Sequence, residues 1–323
     1  MIDRRNVAHA SAAVHPHRAD GGETDVVKRI KTLVQLTDTH LVGDGERLFG
    51  AVDPAANLQR ALDSIGRHGD ALDAILLTGD LANDGDPDAY RHLRSAVDAV
   101  ASRRGVPAYY GMGNHDDRAA FRAELLGGAA APTGTTSGGT ASSGEDGVLA
   151  PVDYVIDLDG LRIVMVDSTR PGHHFGEVTA EQHAWLRTIL AEPAPHGTLL
   201  TIHHPPFPFR AGAPDADLLA EATFHDVAAF ADTVRGSDVM TILSGHLHEP
   251  LGGNVAGVPV WAGASTTMAH EVSADRRAFR IVANCGLSLI DVYDDRTVVA
   301  RAVNCLDRPV LFETTMEQLL QAT

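Results

Sequence analysis

From about residue 31 the chain alternates short apolar runs with longer segments in which apolar residues recur three and four positions apart. The first pattern marks buried strands and the second amphipathic helices. Thr32-Leu33-Val34-Gln35-Leu36-Thr37 reads as a strand that stops at Asp38-Thr39-His40. A helix opens near Pro54, with Leu58, Ala61, Leu62 and Ile65 on one face. Ala74 to Thr78 is a second strand, ending at Gly79-Asp80, and a helix through Tyr90, Leu93, Val97 and Val100 follows. A third strand, Ala108 to Met112, ends at Gly113-Asn114-His115-Asp116. Further on, Tyr154 to Ile156 and Leu161 to Val166 flank Asp159-Gly160, a pair suited to a hairpin turn. A helix near residues 179–190 precedes the strand Thr198 to Ile202, which ends at His203-His204-Pro205-Pro206. A helix around residues 222–234 precedes the strand Val239 to Leu243, which ends at Ser244-Gly245-His246-Leu247-His248. The remainder reads as β: Val258 to Trp261, Leu287 to Val292 and Thr297 to Val303, with Asp294-Asp295 in the last turn. Buried strands alternating with helices predict an α/β fold.

Three segments break the pattern. Residues 1–28 are polar, aperiodic and rich in Gly, Ala and His, and are expected to be a disordered tail. His9, His15 and His17 lie in it with nothing nearby to fix them around a metal. Residues 127–147, GGAAAPTGTTSGGTASSGEDG, have the composition of a flexible surface loop. Residues 309–323 form a C-terminal extension, helix being one reading of it. No internal repeat or linker divides what lies between, so residues 29–308 are expected to be a single domain.

Composition narrows function more than fold. Of 323 residues, 44% are hydrophobic and 21% charged, an ordinary soluble profile. The formal net charge of −17 repels a nucleic-acid backbone, and no Lys/Arg cluster offsets it locally. A small anionic substrate meets the same field unless the site carries positive charge of its own, which bound metal ions would supply. The N-terminus lacks the apolar segment of a secretory signal, and no stretch approaches the roughly 18 apolar residues of a membrane span. A cytoplasmic location is therefore expected. Cys285 and Cys305 read as two free buried thiols rather than a disulfide.

Five of the strands end in a cluster containing Asp, Asn or His. In open α/β sheets ligands sit beyond the carboxyl ends of the strands, so these clusters are expected to converge. Together they offer two carboxylates, an Asn amide and at least four imidazoles. Nitrogen and oxygen donors without thiolate suit Mn, Fe, Zn or Co. Each motif alone has a plain structural reading. Gly-Asp is a common turn, Asp116 has the chemistry of a helix N-cap, and His203-His204-Pro205-Pro206 is a strand stopped by proline. Gly245-His246-Leu247-His248, however, sets two imidazoles on one side of an extended segment, as a chelate requires. Five such clusters in succession, each after a buried strand, point to metal chemistry.

The series Asp38-x-His40, Gly79-Asp80, Gly113-Asn114-His115-Asp116, His203 and Gly245-His246-x-His248 resembles the calcineurin-like metallophosphoesterase superfamily. Within it the chain is similar to the class III bacterial cyclic-nucleotide phosphodiesterases, the mycobacterial cyclic AMP enzyme among them. Longer stretches carry that closer likeness: Asp38 to Leu41, Arg47 to Asp53, Met112 to Arg118, Pro171 to His174 and His203 to Pro206. The resemblance runs from about residue 31 to about residue 305. It implies a four-layer α-β-β-α sandwich with a dimetal site at the C-terminal ends of the strands, a cyclic-nucleotide substrate and a homodimer. One metal would take Asp38, His40, Asp80 and His248; the second would take Asp80, Asn114, His203 and His246, with Asp80 bridging. Fe and Mn are the expected pair, with Zn, Co or Mg as alternatives.

Two metals about 3.5–4 Å apart clamp the attacking and leaving oxygens of an in-line displacement, and water between them ionises near neutral pH. His115, beside Asn114, is expected to protonate the leaving alkoxide or bind a phosphoryl oxygen, with Asp116 orienting its ring. His40, Asn114, His174 and His248 are expected to contact substrate alongside His115. His173 reads as a surface residue and His204 as support for the site. His270 lies in a His-Glu pair without evident meaning, and Trp261, Tyr293 and the Phe residues read as core. The expected reaction is hydrolysis of 3′,5′-cyclic AMP to 5′-AMP, with 2′,3′-cyclic nucleotides also accepted. Glycerophosphodiesters and other small diesters are the alternative substrates. A nuclease is disfavoured by charge, and a metal- or nucleotide-binding protein without turnover by the intact ligand set.

Overall fold

A computed structural model describes residues 27–128, 136–137, 150–208, 223–272 and 279–307, with isolated positions at 309, 312 and 315. The expected tail, most of the Gly/Ser/Thr loop and nearly all of the C-terminal extension lie outside the described residues. Lys28, assigned to the tail, is instead tied down: its backbone N–H donates to Asp294 Oδ1 at 3.0 Å. Thr136 and Ser137, assigned to the loop, pair as a two-residue strand.

Two sheets carry the fold. The first comprises β1 (Arg29–Leu36), β2 (Ala74–Thr78), β3 (Ala108–Gly111), β13 (Gly286–Tyr293) and β14 (Val298–Asn304), in the order β14-β13-β1-β2-β3. Strands β1, β2 and β3 are parallel, and β13 runs antiparallel to both β1 and β14. The second comprises β4 (Thr136–Ser137), β5 (Tyr154–Leu158), β6 (Leu161–Val166), β7 (Thr198–Ile202), β8 (Val239–Ser244), β9 (Leu251–Val255) and β10 (Val258–Ala262). Its order is β4-β5-β6-β7-β8-β10-β9, with β6, β7, β8 and β10 parallel. A separate hairpin pairs β11 (Met268–Val272) with β12 (Phe279–Ala283).

The helices start where side chains satisfy the unpaired N–H groups of a first turn. In α1 (Pro54–Arg67) and α2 (Pro87–Arg104), Asp53 and Asp86 accept from the first turn just before the opening proline. Asp117 caps α3 (Arg118–Leu125), so Asp116 is not the N-cap. Thr179 and Gln182 form a reciprocal capping box at α4 (Ala180–Leu190). The helix expected around residues 222–234 is α5 (Val227–Val234), which begins only after the cap Asp226. Before it, Phe224 bridges to Gly176 instead. Helix α3 and strands β9, β11 and β12 carried no clear signal in the sequence.

Side-chain alternation along the second sheet produces the layers. Ile163, Met165, Leu199 and Leu243 join the core shared with Leu33, Leu36 and Leu289 of the first sheet, which also takes in α1, α2 and α3. Their neighbours Val164, Val166, Leu200 and Ile242 face the other way, onto Leu186, Leu190, Phe230 and Val234 of α4 and α5. The result is the expected four-layer α-β-β-α sandwich. Two polar ties set the sheets in register: Gln35 Nε2 donates to Thr78 Oγ1 and Ser244 O at 2.9 Å each, and Tyr154 Oη donates to Tyr110 O at 2.8 Å. Trp261 packs against the core. Phe49 and Phe312, 72% and 79% exposed, do not, contrary to expectation. Cys285 and Cys305 are both free, only the first of them buried. Among the described residues no helix is long and apolar enough to cross a membrane.

Candidate metal centre

Strands β1, β2 and β3 of one sheet and β7 and β8 of the other end at the same rim, so the five polar clusters meet there. The backbone at these ends is unusual. Ten non-glycine residues among those described have positive φ, and five of them are Asp38, His40, Asp80, His246 and His248. Such conformations are costly for residues with a Cβ and collect where a side chain must be aimed. Hydrogen bonds beyond the strands hold them: Asp38 N–H donates to Gly79 O and His40 N–H to Asp80 O. The carboxylates are also held from behind. Asp38 accepts from the His246 N–H at 3.0 Å, and Asp80 Oδ1 from the His115 N–H at 2.8 Å.

One donor atom from each of Asp38, His40, Asp80 and His248 lies within 4.8 Å of the other three. His40 Nε2 and His248 Nε2 are 3.0 Å apart, and each is 3.5 Å from a carboxylate oxygen, Asp80 Oδ2 and Asp38 Oδ1 respectively. A tetrahedral ion with bonds of about 2.1 Å spaces its ligands about 3.4 Å apart, so the set fits one ion. His203 Nδ1 donates to Thr78 O at 2.9 Å, which leaves Nε2 its lone pair. That Nε2 is buried, makes no hydrogen bond among the described residues and lies 3.3 Å from Asp80 Oδ2. Asp80 Oδ2 therefore stands between His40 and His203, where a bridging ligand belongs. His246 Nδ1 donates to Asn114 Oδ1 at 3.0 Å, and Asn114 Nδ2 donates to His174 Nδ1 at 3.1 Å. All seven expected ligands, with His115 and His174, are thus brought together.

The electrostatics suit cations. Burial pushes the Asp38 carboxyl up to about 7, against the opposing pull of His203. Burial would also raise Asp80, yet the neighbouring His203 imidazole takes it well below the usual carboxylate range. Burial would lower His203, but Asp80 and Asp38 outweigh it and raise the imidazole to about 9. Burial lowers His40 to about 4 and takes His248 well below the ordinary histidine range. Two buried carboxylates thus draw a proton onto His203, a demand for positive charge that metal ions answer more fully.

Several neighbours differ from those expected. His115 Nδ1 donates to the carbonyl of Asn83 at 2.7 Å, and Asp116 does not orient the ring. The Asp116 carboxylate instead accepts from Leu81, Ala82 and Gly113 N–H and from Tyr90 Oη, at 2.9–3.0 Å. Asn83 serves twice, since its Oδ1 is also 3.2 Å from His40 Nδ1; no sequence signal singled it out. His204 comes close to His203 and His246, but both its ring nitrogens are engaged, Nδ1 with Ser168 Oγ at 2.8 Å and Nε2 with His174 O at 3.1 Å. It thereby ties down the loop that carries His174. His173 is exposed. His270, unassigned in the sequence, stacks on His248 with ring centroids 3.9 Å apart, and burial lowers it to about 4.

Residues 31–250 match the calcineurin-like phosphoesterase family, and the chain belongs to it. Fold, donor clusters and family together define a metal-dependent phosphoesterase with a dimetal site. The chain is 42% identical over 267 residues to a probable cyclic nucleotide phosphodiesterase of Rhodococcus erythropolis, covering 82% of this chain and 81% of that one. It is 40% identical over 268 residues to a cAMP/cGMP dual specificity phosphodiesterase of Mycobacterium tuberculosis, covering 82% and 77%. A dimetal phosphatase of Danio rerio shares the fold with a TM-score of 0.54 at 15% identity, covering 86% of this chain and 100% of that chain.

Proposed function

We propose that this chain is a dimetal phosphodiesterase that hydrolyses 3′,5′-cyclic AMP to 5′-AMP and also accepts 2′,3′-cyclic nucleotides. The observation that carries the phosphoesterase part is Asp80 Oδ2 lying 3.5 Å from His40 Nε2 and 3.3 Å from His203 Nε2, one oxygen between two imidazole sets. One metal would be held by Asp38, His40, Asp80 and His248, the other by Asp80, Asn114, His203 and His246. When bound, such a pair supplies Lewis-acid charge for the phosphoryl oxygens and lets a water ionise near neutral pH. That charge also overcomes the repulsion between a phosphodiester and a chain of net charge −17.

The protein's own groups do the rest. Hydrolysis of the cyclic diester breaks the bond from phosphorus to O3′, and the leaving oxygen needs one proton. The Asn83 carbonyl keeps the proton of His115 on Nδ1, so Nε2 is the nitrogen that gives up and regains the transferred proton. His174, hydrogen-bonded to Asn114 and next to the His115 ring, binds the phosphate or the nucleoside beside them. The cyclic-nucleotide part is supported by the two bacterial relatives, which are named for that activity.

A turnover panel on Mn²⁺-reconstituted protein tests the reading. It compares 3′,5′-cyclic AMP, 3′,5′-cyclic GMP, 2′,3′-cyclic AMP and a glycerophosphodiester. Cyclic AMP is expected to yield 5′-AMP in every preparation that carries both metals. If cyclic AMP is untouched while the glycerol diester is cleaved quickly, the substrate assignment falls and the metal site survives.

A further inference from the structure

We propose that His270 is a positioning residue of the metal site: its imidazole lies flat on that of His248 and fixes the ring plane of that ligand. A metal-binding imidazole is ordinarily oriented through its second nitrogen, which donates to a carbonyl, carboxylate or water. Two of the ligand rings follow that rule, His40 through Asn83 Oδ1 and His203 through Thr78 O. His248 does not. Its Nδ1 is buried and has no hydrogen-bond partner among the described residues. Rotation about the bond joining a histidine ring to its Cβ is soft, so the ring needs another restraint. The His270 ring provides one, with centroids 3.9 Å apart and planes only 14° from parallel. Turning the His248 ring away from that plane would drive its edge into the His270 face.

The element that carries His270 is tied to the site independently. His270 sits mid-strand in β11, paired with Ile281 of β12, and Met268 at the start of the strand is 3% exposed. Just upstream, Ser265 Oγ donates to Asp38 O at 3.1 Å and Thr267 Oγ1 to Thr39 O. The hairpin is therefore hydrogen-bonded to the strand end that presents Asp38 and His40. It delivers the His270 ring to a fixed place over the His248 ring.

This inference rests on the reading of His248 as a metal ligand, and the experiment separates the two. Metal-free full-length protein is titrated with Mn²⁺ in a calorimeter, for wild type, His270→Ala, His270→Leu and His270→Phe, with thermal melts of the metal-free proteins alongside. Leu fills similar volume without a flat face, and Phe keeps the flat face without nitrogens. The expected result is that Ala and Leu weaken one of the two equivalents about 10–100-fold, leave the other unchanged, and that Phe recovers most of the loss. Wild-type affinity for both equivalents in the Leu variant overturns the positioning role alone. A Phe variant as weak as Leu overturns stacking in favour of a ring nitrogen. Wild-type protein that takes up no pair of metals overturns the ligand reading itself.

Discussion

Asp38, His40, Asp80, His246 and His248 pack five left-handed backbones into one rim, and close approach makes glycine necessary beside them. A Cβ on Gly113 would collide with the backbone nitrogen and the carboxylate of Asp80, and one on Gly245 with Thr37 Oγ1. The Gly-Asn and Gly-His pairs are therefore steric requirements of the donor cluster, which explains why they read so clearly in the sequence. Asn114 is the proposed ligand whose loss is most informative, because its amide touches both His246 and His174. Asn114→Ala is expected to bind one Mn²⁺ equivalent in place of two, and to lose more activity than the 10–100-fold typical of outer partners. Metal analysis after dialysis together with cyclic AMP turnover measures both. Two retained equivalents and near-normal rates at limiting Mn²⁺ would remove Asn114 from the ligand set.

Adjacent residues in one loop, His115 and Asp116, separate chemistry from architecture at the scale of the elements. The Asp116 carboxylate gathers the loop after β2, the loop after β3 and Tyr90 of α2, so it joins three elements. Removing it strands three backbone N–H groups, each costing about 1–3 kcal/mol if left unpaired. Asp116→Ala is thus expected to lower the denaturation midpoint sharply. His115→Ala should leave stability and metal content nearly unchanged, and reduce kcat by roughly 10²–10⁴. Equal stability losses in the two variants would contradict this division of labour. Sequence reasoning paired His115 with Asp116 because they are adjacent. The fold pairs His115 with Asn83, 32 positions away, because the β2 and β3 loops cross at that point.

Across the whole molecule, burial of acids gives the stability a particular pH dependence. Asp153, 4% exposed, has its carboxyl raised to about 7 by burial and then by the neighbouring Asp167 charge. A raised acid pKa means that the folded state holds its proton over a range where the unfolded chain has already lost it. Asp153 therefore favours folding below about pH 4, loses that contribution as pH rises through about 7, and opposes folding above it. Asp153→Asn keeps an acceptor for the Asp167 N–H and the Gln182 side chain. It is expected to be more stable than wild type at pH 8, by up to a few kcal/mol, with the difference shrinking toward pH 4. Urea unfolding of both proteins at pH 4.5 and pH 8 checks this; a constant difference would refute the burial argument.

Most of the strands, the helix start at Pro54 and the seven candidate donors were legible from sequence alone. Alternation, proline placement and donor chemistry are properties of a few consecutive residues, and they do not change when the chain folds. Tertiary structure decided what depends on distant pairs. It divided the strands between two sheets, set the His246 N–H on Asp38 across 208 positions, and used both nitrogens of His204. It also laid His270 on His248. An isolated histidine in a strand looks the same whether it meets solvent or a ligand ring, and only the packing of the hairpin against the rim distinguishes the two.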